Sequence, residues 1–377
     1  MLDPKERRAR LRLHRETGNR WRLHKYLLAE FGSATAVYDA VAAGHPAVKL
    51  LPPPIVERLS RRNDNRLERQ LDADEAWLAV PGRSLLVAGE PDYPARLAAI
   101  HDPPHLLFVH GDRTLLASNQ LAMVGSRRMT AYGRRTAHRL ARDLVRDGFT
   151  ITSGLAIGVD TAAHEGALTA GGTTIAVLGS GCDVHYPPSN RRLAERVIEA
   201  GLIVSEFPLG TPARPHQFPV RNRVVTGLAL GTLVIEATPR SGSLISARLA
   251  LEQGREVFAV PGSVESPQSR GCHELIRSGA CLVETVEDIY QELGYTAPAT
   301  DNAAADRNAA SSVLSGELKA ILLHLGGESR LIDELAEVTG KSVADLLGLM
   351  TRLELEGLVE RGPGGYRLAA RLLESID

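Results

Sequence analysis

From residue 121 onward the chain repeats one unit: a short apolar run, a turn containing glycine or serine, then a helical pattern. The apolar runs are Leu121–Val124, Thr150–Thr152, Thr174–Leu178, Ile203–Ser205, Thr232–Glu236, Glu256–Ala259 and Ala280–Val283. Strands alternating with helices imply a parallel sheet, because each helix must carry the chain back across the sheet in a right-handed crossover. Runs of Val, Ile and Leu fit strands buried on both faces. The predicted fold class is α/β, an extended Rossmann-type, doubly wound parallel sheet.

The flanks read differently. Residues 1–78 carry helical patterns, with Trp21, Leu23, Tyr26, Leu27 and Phe31 near helical spacing. Ser33 is placed to cap a helix over Ala34–Ala43, and Pro52-Pro53-Pro54 marks a turn before a charged helix over Ile55–Trp77. Leu85–Ala88 and Leu106–Val109 read as two further strands, and the α/β domain is expected to span 79–295. Residues 296–314 are small and polar, a linker. After it, over 315–377, come helical patterns at Gly316–Leu325, Leu331–Thr339 and Ser342–Glu356. Two short runs around Gly362-Pro363-Gly364-Gly365 follow, which together make a winged helix.

Charge narrows the chemistry. The net charge is −1, so binding nucleic acid through bulk positive charge is disfavoured and any such site is local. Residues 113–295 hold 19 basic side chains, all Arg, against 17 acidic ones. Residues 296–377 hold 8 against 13, a net of −5, which argues against a winged helix that grips duplex phosphates and for one that meets a protein partner, or binds DNA only weakly. Between Lys49 and Lys319 there is no lysine, which excludes a Walker-type ATP site in the α/β domain. Three cysteines are too few for a disulfide framework and point to a reducing, cytoplasmic setting. No apolar run reaches the roughly 18 residues of a membrane span, and the Arg-rich start lacks the apolar region of a secretory signal.

Four turns follow strands directly: Gly125-Ser126-Arg127, Ser153-Gly154-Leu155-Ala156-Ile157-Gly158, Gly179-Ser180-Gly181 and Ser241-Gly242-Ser243. In a parallel sheet these gather at one edge, where helix N-termini and close backbone approach favour anions. Arg127, Arg128, Arg191 and Arg192 stand beside them, with Asn190, and Phe218-Pro219-Val220-Arg221-Asn222-Arg223 opens another helix. Arg forks onto phosphate bidentately. Arg221 has a second reading, an ion pair across the domain. A dinucleotide site fails on detail, since Gly179-Ser180-Gly181 lacks the third glycine and no acidic residue ends the second strand. Asp160 and His164, four apart on one helix, fit an acid–base pair less well than an Asp at the helix dipole and a packed His. Cys272-His273 and Cys281 lack zinc spacing, so no metal and no cofactor are expected. Aromatics are only 4% of the chain, with Tyr132, Tyr186 and Phe218 near the turns, so phosphate contacts should dominate any nucleic-acid binding.

These motifs, in this order, resemble the DprA/Smf family, DNA-processing protein A. The resemblance runs over roughly 85–290. It rests on Val124-Gly125-Ser126-Arg127 with Tyr132-Gly133, on Ser153–Asp160 with Ala163-His164, and on Ile175–Gly179 with Tyr186-Pro187 and Asn190. It continues through Phe218–Arg223, Ser241–Ile245 and Ala259–Gly262. It implies an N-terminal SAM-like helical domain and the winged helix many members carry. It further implies a non-enzymatic role: binding incoming single-stranded DNA in natural transformation, protecting it, and loading RecA recombinase, as a homodimer through the Rossmann-type domain. In the family the Arg of the Gly-Ser-Arg loop contacts DNA, which places Arg127 there; some members carry Lys where this chain has Pro188, and Arg191 or Arg192 would then substitute. The expected phosphate-binding set is Gly125, Ser126, Arg127, Ser153, Gly154, Gly179, Asn190, Arg191, Arg221, Asn222, Arg223, Ser241, Gly242 and Ser243. A rival reading is a phosphoribohydrolase of the lysine-decarboxylase-like group; its Pro-Gly-Gly-x-Gly-Thr loop is replaced here by Ser241-Gly242-Ser243-Leu244-Ile245.

Overall fold

Asp3 starts the first helix, α1 (Pro4–Thr17): its carboxylate accepts from the Lys5 and Glu6 amides at 3.0 and 3.3 Å, and Pro4 sits where no N–H is needed. The computed structural model describes residues 3–18, 20–61, 64–297, 321–322, 324–325, 329–355, 358–362 and 365–368. They fall into two units, Met1–Ala297 and Pro298–Asp377.

Four further helices complete the N-terminal segment: α2 (Trp21–Phe31), α3 (Ala34–Ala42), α4 (Pro53–Ser60) and α5 (Asn65–Leu78). Gly32, at φ 80°, ends α2, and Ser33 caps α3 through the Ala36 amide at 3.1 Å. The single charged helix expected over Ile55–Trp77 is two. Asp64 accepts from the Arg66 and Leu67 amides, each at 3.0 Å, and so starts α5 afresh. Leu13, Leu27, Val37, Ile55 and Leu59 form a core within the bundle. Leu11, Leu67 and Leu71 turn the other way and share a core with Val87, Leu106, Phe108 and Ile203 of the sheet. Each such Leu contributes about 1.5–3 kcal/mol relative to exposure, so the bundle is fastened to the sheet.

Nine strands form one sheet: β1 (Arg83–Val87), β2 (Leu106–Gly111), β3 (Gln120–Gly125), β4 (Thr150–Ser153), β5 (Thr174–Val177), β6 (Leu202–Ser205), β7 (Gly231–Ile235), β8 (Glu256–Ala259) and β9 (Cys281–Leu282). Their order is β1-β2-β6-β5-β4-β3-β7-β8-β9. Strands β3 to β9 are parallel, as their apolar runs predict, whereas β1 and β2 extend the edge antiparallel beyond β6. Alternation along the strands feeds two cores. Leu121, Met123, Leu233, Ile235 and Phe258 face one, with α7 (Ala131–Arg146) and α8 (Val159–Thr169). Ala122, Val124, Val234, Val257 and Ala259 face the other, with α10 (Gln217–Leu228) and α11 (Gly242–Glu252). The order reverses at β3, which lies between β4 and β7; that is the switch point where such sheets bind ligands. The short helix α6 (Ala95–Ala98) lies between β1 and β2, α9 (Arg191–Ala200) follows β5, and α12 (Arg270–Arg277) and α13 (Val286–Leu293) flank β9. Among the described residues no helix is long and apolar enough to cross a membrane.

The second unit contains α14 (Ile332–Thr339), a left-handed turn at Gly340 (φ 66°), α15 (Val343–Leu355), and the hairpin β10 (Val359–Gly362) with β11 (Gly365–Leu368). Leu335, Leu346, Met350, Leu353, Val359, Tyr366 and Leu368 form its core. Of the helix expected over Gly316–Leu325, positions 316–320 and 323 lie outside the described residues, as does the linker from 298 to 314.

Candidate functional site

The loops after β3, β4, β5 and β7 meet at the C-terminal edge of the parallel strands, and two of them fit backbone to backbone. A Cβ on Gly125 would stand 1.9 Å from the Ile235 carbonyl oxygen of β7. One on Gly158, which has φ +90°, would stand 2.2 Å from the Ser126 carbonyl oxygen. Only glycine permits this approach. The Ser126 hydroxyl accepts from the Arg128 amide at 3.1 Å, and in that turn Arg127 and Arg128 are exposed.

Two of the helix starts at this edge already hold a carboxylate of the chain itself. At α8, buried Asp160 accepts from the Gly154 and Ala156 amides at 3.1 and 3.2 Å. Burial pushes its carboxyl up, while the Arg221 charge and these donors oppose that. At α7, the Glu236 carboxylate accepts from the Thr130 amide at 2.8 Å and from the Thr130 hydroxyl. Glu236 ends β7 at φ 54°, and Gly133 leaves room for it, since a Cβ there would lie 2.5 Å from its carboxyl carbon. A carboxylate thus occupies the position an outside anion would take at each helix start. Sequence reasoning gives Glu236 no role; the one hint is an acidic residue closing an otherwise apolar strand.

The predicted residues separate by depth. Arg221 is buried and donates to the carbonyl oxygens of Gly154, at 2.7 Å, and Val177. Burial pushes its guanidinium down to about 10, which leaves it charged at neutral pH. Asn222 is half-buried, its side-chain oxygen accepting from Arg221 Nε at 3.2 Å. Arg223 is buried, forked onto Glu206 at 2.8 and 2.7 Å and bonded to Asp102 at 3.0 Å. Asn190, also buried, donates to the Leu155 oxygen at 3.0 Å and Thr161 Oγ1 at 2.8 Å, and so clamps the loop after β4, where Leu155 has φ 60°. Ser153 Oγ donates to the Met123 oxygen at 2.6 Å inside the sheet. Of these five, Arg221, Arg223, Asn190 and Ser153 are buried in the fold, and Asn222 is partly open to solvent. Gly154 and Gly179 are close-approach positions, against the Arg221 guanidinium and the Phe218 ring. Ser241 caps α11 through the Ser243 amide at 3.3 Å, and Gly242 is exposed. Arg191 is exposed and pairs within its helix with Glu195 at 3.2 Å, a weak contact at 76% exposure.

What remains at the surface is a short row. The Arg127 guanidinium lies 5.3 Å from the centre of the Phe218 ring, and that ring lies 5.8 Å from Tyr186, itself 48% exposed. A cation over an aromatic face is held electrostatically without losing its outward donors. Tyr132 is exposed too, with its hydroxyl 3.4 Å from the Pro261 oxygen. The edge therefore offers a charged fork and open ring faces together.

The sequence model of DNA recombination-mediator protein A matches residues 84–294. The chain belongs to this family. The DprA winged helix domain matches residues 303–365, so the C-terminal unit is the winged helix of the same family. Protein Smf of Escherichia coli is 41% identical over 303 residues, which cover 79% of this chain and 80% of that one. The X-ray structure of DNA processing protein A from Streptococcus pneumoniae superposes with a TM-score of 0.64 at 35% identity, covering 76% of this chain and 97% of that one. DNA processing protein A of Helicobacter pylori, described with a single-stranded DNA binding mode, superposes with a TM-score of 0.52 at 32% identity, covering 57% and 97%.

Other candidate chemistry at this edge resolves into packing. His164 is fully buried, with Nδ1 2.7 Å from Thr174 Oγ1, so it faces the sheet and forms no acid–base pair with Asp160. Burial, and then the Arg221 charge, push it down to about 3. The unfolded chain therefore binds this proton below about pH 6.5 and the folded chain does not, so stability rises with pH from about 3 to 6.5. Between pH 6.5 and 5 the wild type should lose about 2 kcal/mol more than His164→Gln. Urea unfolding of both at the two pH values checks this; equal losses would count against it. Cys272 is buried beneath Val234, and His273 bonds the Gly262 oxygen at 3.0 Å, so this pair builds no metal site with Cys281.

Proposed function

We propose that this chain binds single-stranded DNA along the C-terminal edge of its parallel sheet. We further propose that it protects that strand and loads RecA recombinase onto it in natural transformation, as a homodimer through the Rossmann-type domain, without catalysis. One observation carries the reading: Arg127 stands exposed over Phe218, whose ring neighbours Tyr186, at the switch point, while Arg221, Arg223 and Asn190 are consumed in building the loops. A fork for phosphate next to open ring faces for bases is what an unpaired strand presents a match to, and a duplex, with its bases stacked inside, does not. The binding mode described for the Helicobacter pylori relative supports carrying this activity over. The reading assigns stacking a larger share than the aromatic content of the sequence suggests. The winged helix, with Leu331, Val338, Val343 and Leu347 exposed on an acidic segment, is assigned to a protein partner.

The test is a fluorescence-anisotropy titration of labelled oligo-dT against the full chain over a salt series, with a duplex control. The expected result is preference for the single strand and a slope of log affinity on log salt of about −0.7 for each phosphate neutralised. A slope of zero, or equal binding of duplex, would sink the phosphate-fork reading. Faster assembly of RecA on the same oligonucleotide in the presence of the chain tests the loading step; an unchanged rate removes it.

A further inference from the structure

Beside the start of β2, which runs antiparallel to β6 at the side of the sheet, three imidazoles from three separate elements converge. His14 lies on α1, His24 on α2 and His105 just before β2. One ring nitrogen from each falls within 4.8 Å of the others, and His14 Nδ1 is 3.0 Å from His105 Nε2. His14 is 1% and His24 0% exposed. A histidine that binds a metal through one nitrogen characteristically donates from the other to a backbone carbonyl. In His24, Nε2 lies 3.1 Å from the Gly18 oxygen and 2.6 Å from Thr17 Oγ1, while Nδ1 is buried without a hydrogen-bond partner. In His14 the buried nitrogen without a partner is Nε2, and Nδ1 lies 3.0 Å from His105 Nε2. A buried, bare imidazole nitrogen is costly unless something fills the space before it.

We propose that His14 Nδ1, His24 Nδ1 and His105 Nε2 bind a zinc-class divalent transition metal ion. The ion pins α1 and α2 to the sheet, and its fourth position is left to water. Three neutral imidazoles suit this class of ion and not Ca²⁺ or Mg²⁺, which take oxygen ligands. Zinc–nitrogen bonds of about 2.0–2.1 Å put tetrahedral ligands about 3.3 Å apart, close to the His14–His105 spacing. His24 now stacks on His105, with ring centroids 3.3 Å apart and planes 18° from parallel, so coordination needs its ring to turn out of that stack. The positive neighbours are neutralised by their own partners: Arg10 by Glu6 at 2.7 Å, Arg15 by Asp74 at 2.5 Å, and Arg223 by Glu206 at 2.7 Å. The cation is thus not repelled by unpaired charge.

The full chain, stripped with a chelator and dialysed, is titrated with ZnCl₂ by calorimetry and with CoCl₂ by visible absorption. The expected result is one ion per chain with a micromolar or tighter dissociation constant, the visible bands of four-coordinate Co²⁺, and a raised Tm. His24→Gln should weaken binding at least tenfold, and His138→Gln, a half-exposed histidine elsewhere, should leave it unchanged. Should His24→Gln fail to fold, long-range nitrogen–proton NMR of the wild type decides: on adding Zn²⁺ two imidazoles should become Nε2–H tautomers with metal-shifted Nδ1. The absence of stoichiometric binding, equal affinity in His24→Gln, or shifts confined to other histidines would overturn the site.

Discussion

Arg127→Ala is expected to weaken single-strand binding about 10- to 100-fold at moderate salt while leaving the fold intact. The side chain is exposed and makes no ion pair among the described residues; it lies over the Phe218 ring at 5.3 Å, and its charge acts only at a distance on buried Asp160 and Arg221. Removing it therefore costs the protein little. A hydrogen-bonded contact between opposite charges is worth about 1.5–3 kcal/mol, and about 1.4 kcal/mol is tenfold in affinity. The salt slope should fall by about 0.7, because one phosphate's counterions are no longer released. Arg127→Lys separates charge from shape: it keeps the slope but loses the planar fork and its seat on Phe218, so its affinity should lie between the two. The same anisotropy series measures all three proteins. Unchanged affinity in Arg127→Ala would move the DNA away from this edge.

Much of the sheet was readable because strands buried on both faces need continuous apolar runs, and here each is followed by a glycine or serine turn and a helical pattern. The direction of β1 and β2 was not readable, since two apolar runs joined by prolines fit either sense. The break before α5 was hidden because Asp64 sits in a run of charged residues that reads as one solvated helix. At the site, the glycines were legible from their turns, but the depth of the arginines was not. Arg127, Arg221 and Arg223 look alike in sequence; burial and the Glu206 and Asp160 carboxylates, brought from distant elements, separate them. His14 and His105 are 91 residues apart, so no spacing rule could join them.

Arg223→Ala should act on the fold and not on the DNA. Its side chain is 6% exposed and Glu206 is 2% exposed, and the two meet in a bidentate fork with Asp102 alongside. Truncating Arg223 strands a carboxylate in the interior, which costs about 3–5 kcal/mol, a large share of the roughly 5–15 kcal/mol that holds a domain folded. Burial already favours the protonated form of Glu206, and Arg223 is what opposes it. In the variant, then, the folded state holds a proton that the unfolded state has released, so stability falls as pH rises above the ordinary carboxyl range. The deficit against wild type should be smaller at pH 5 than at pH 8 in urea unfolding. Replacing both partners, Arg223→Met with Glu206→Met, should recover most of the loss, because no charge is left buried alone. Folded Arg223→Ala should bind oligo-dT like the wild type. If instead it unfolds like the wild type but loses oligo-dT, Arg223 is a DNA contact and the division of labour between it and Arg127 is wrong.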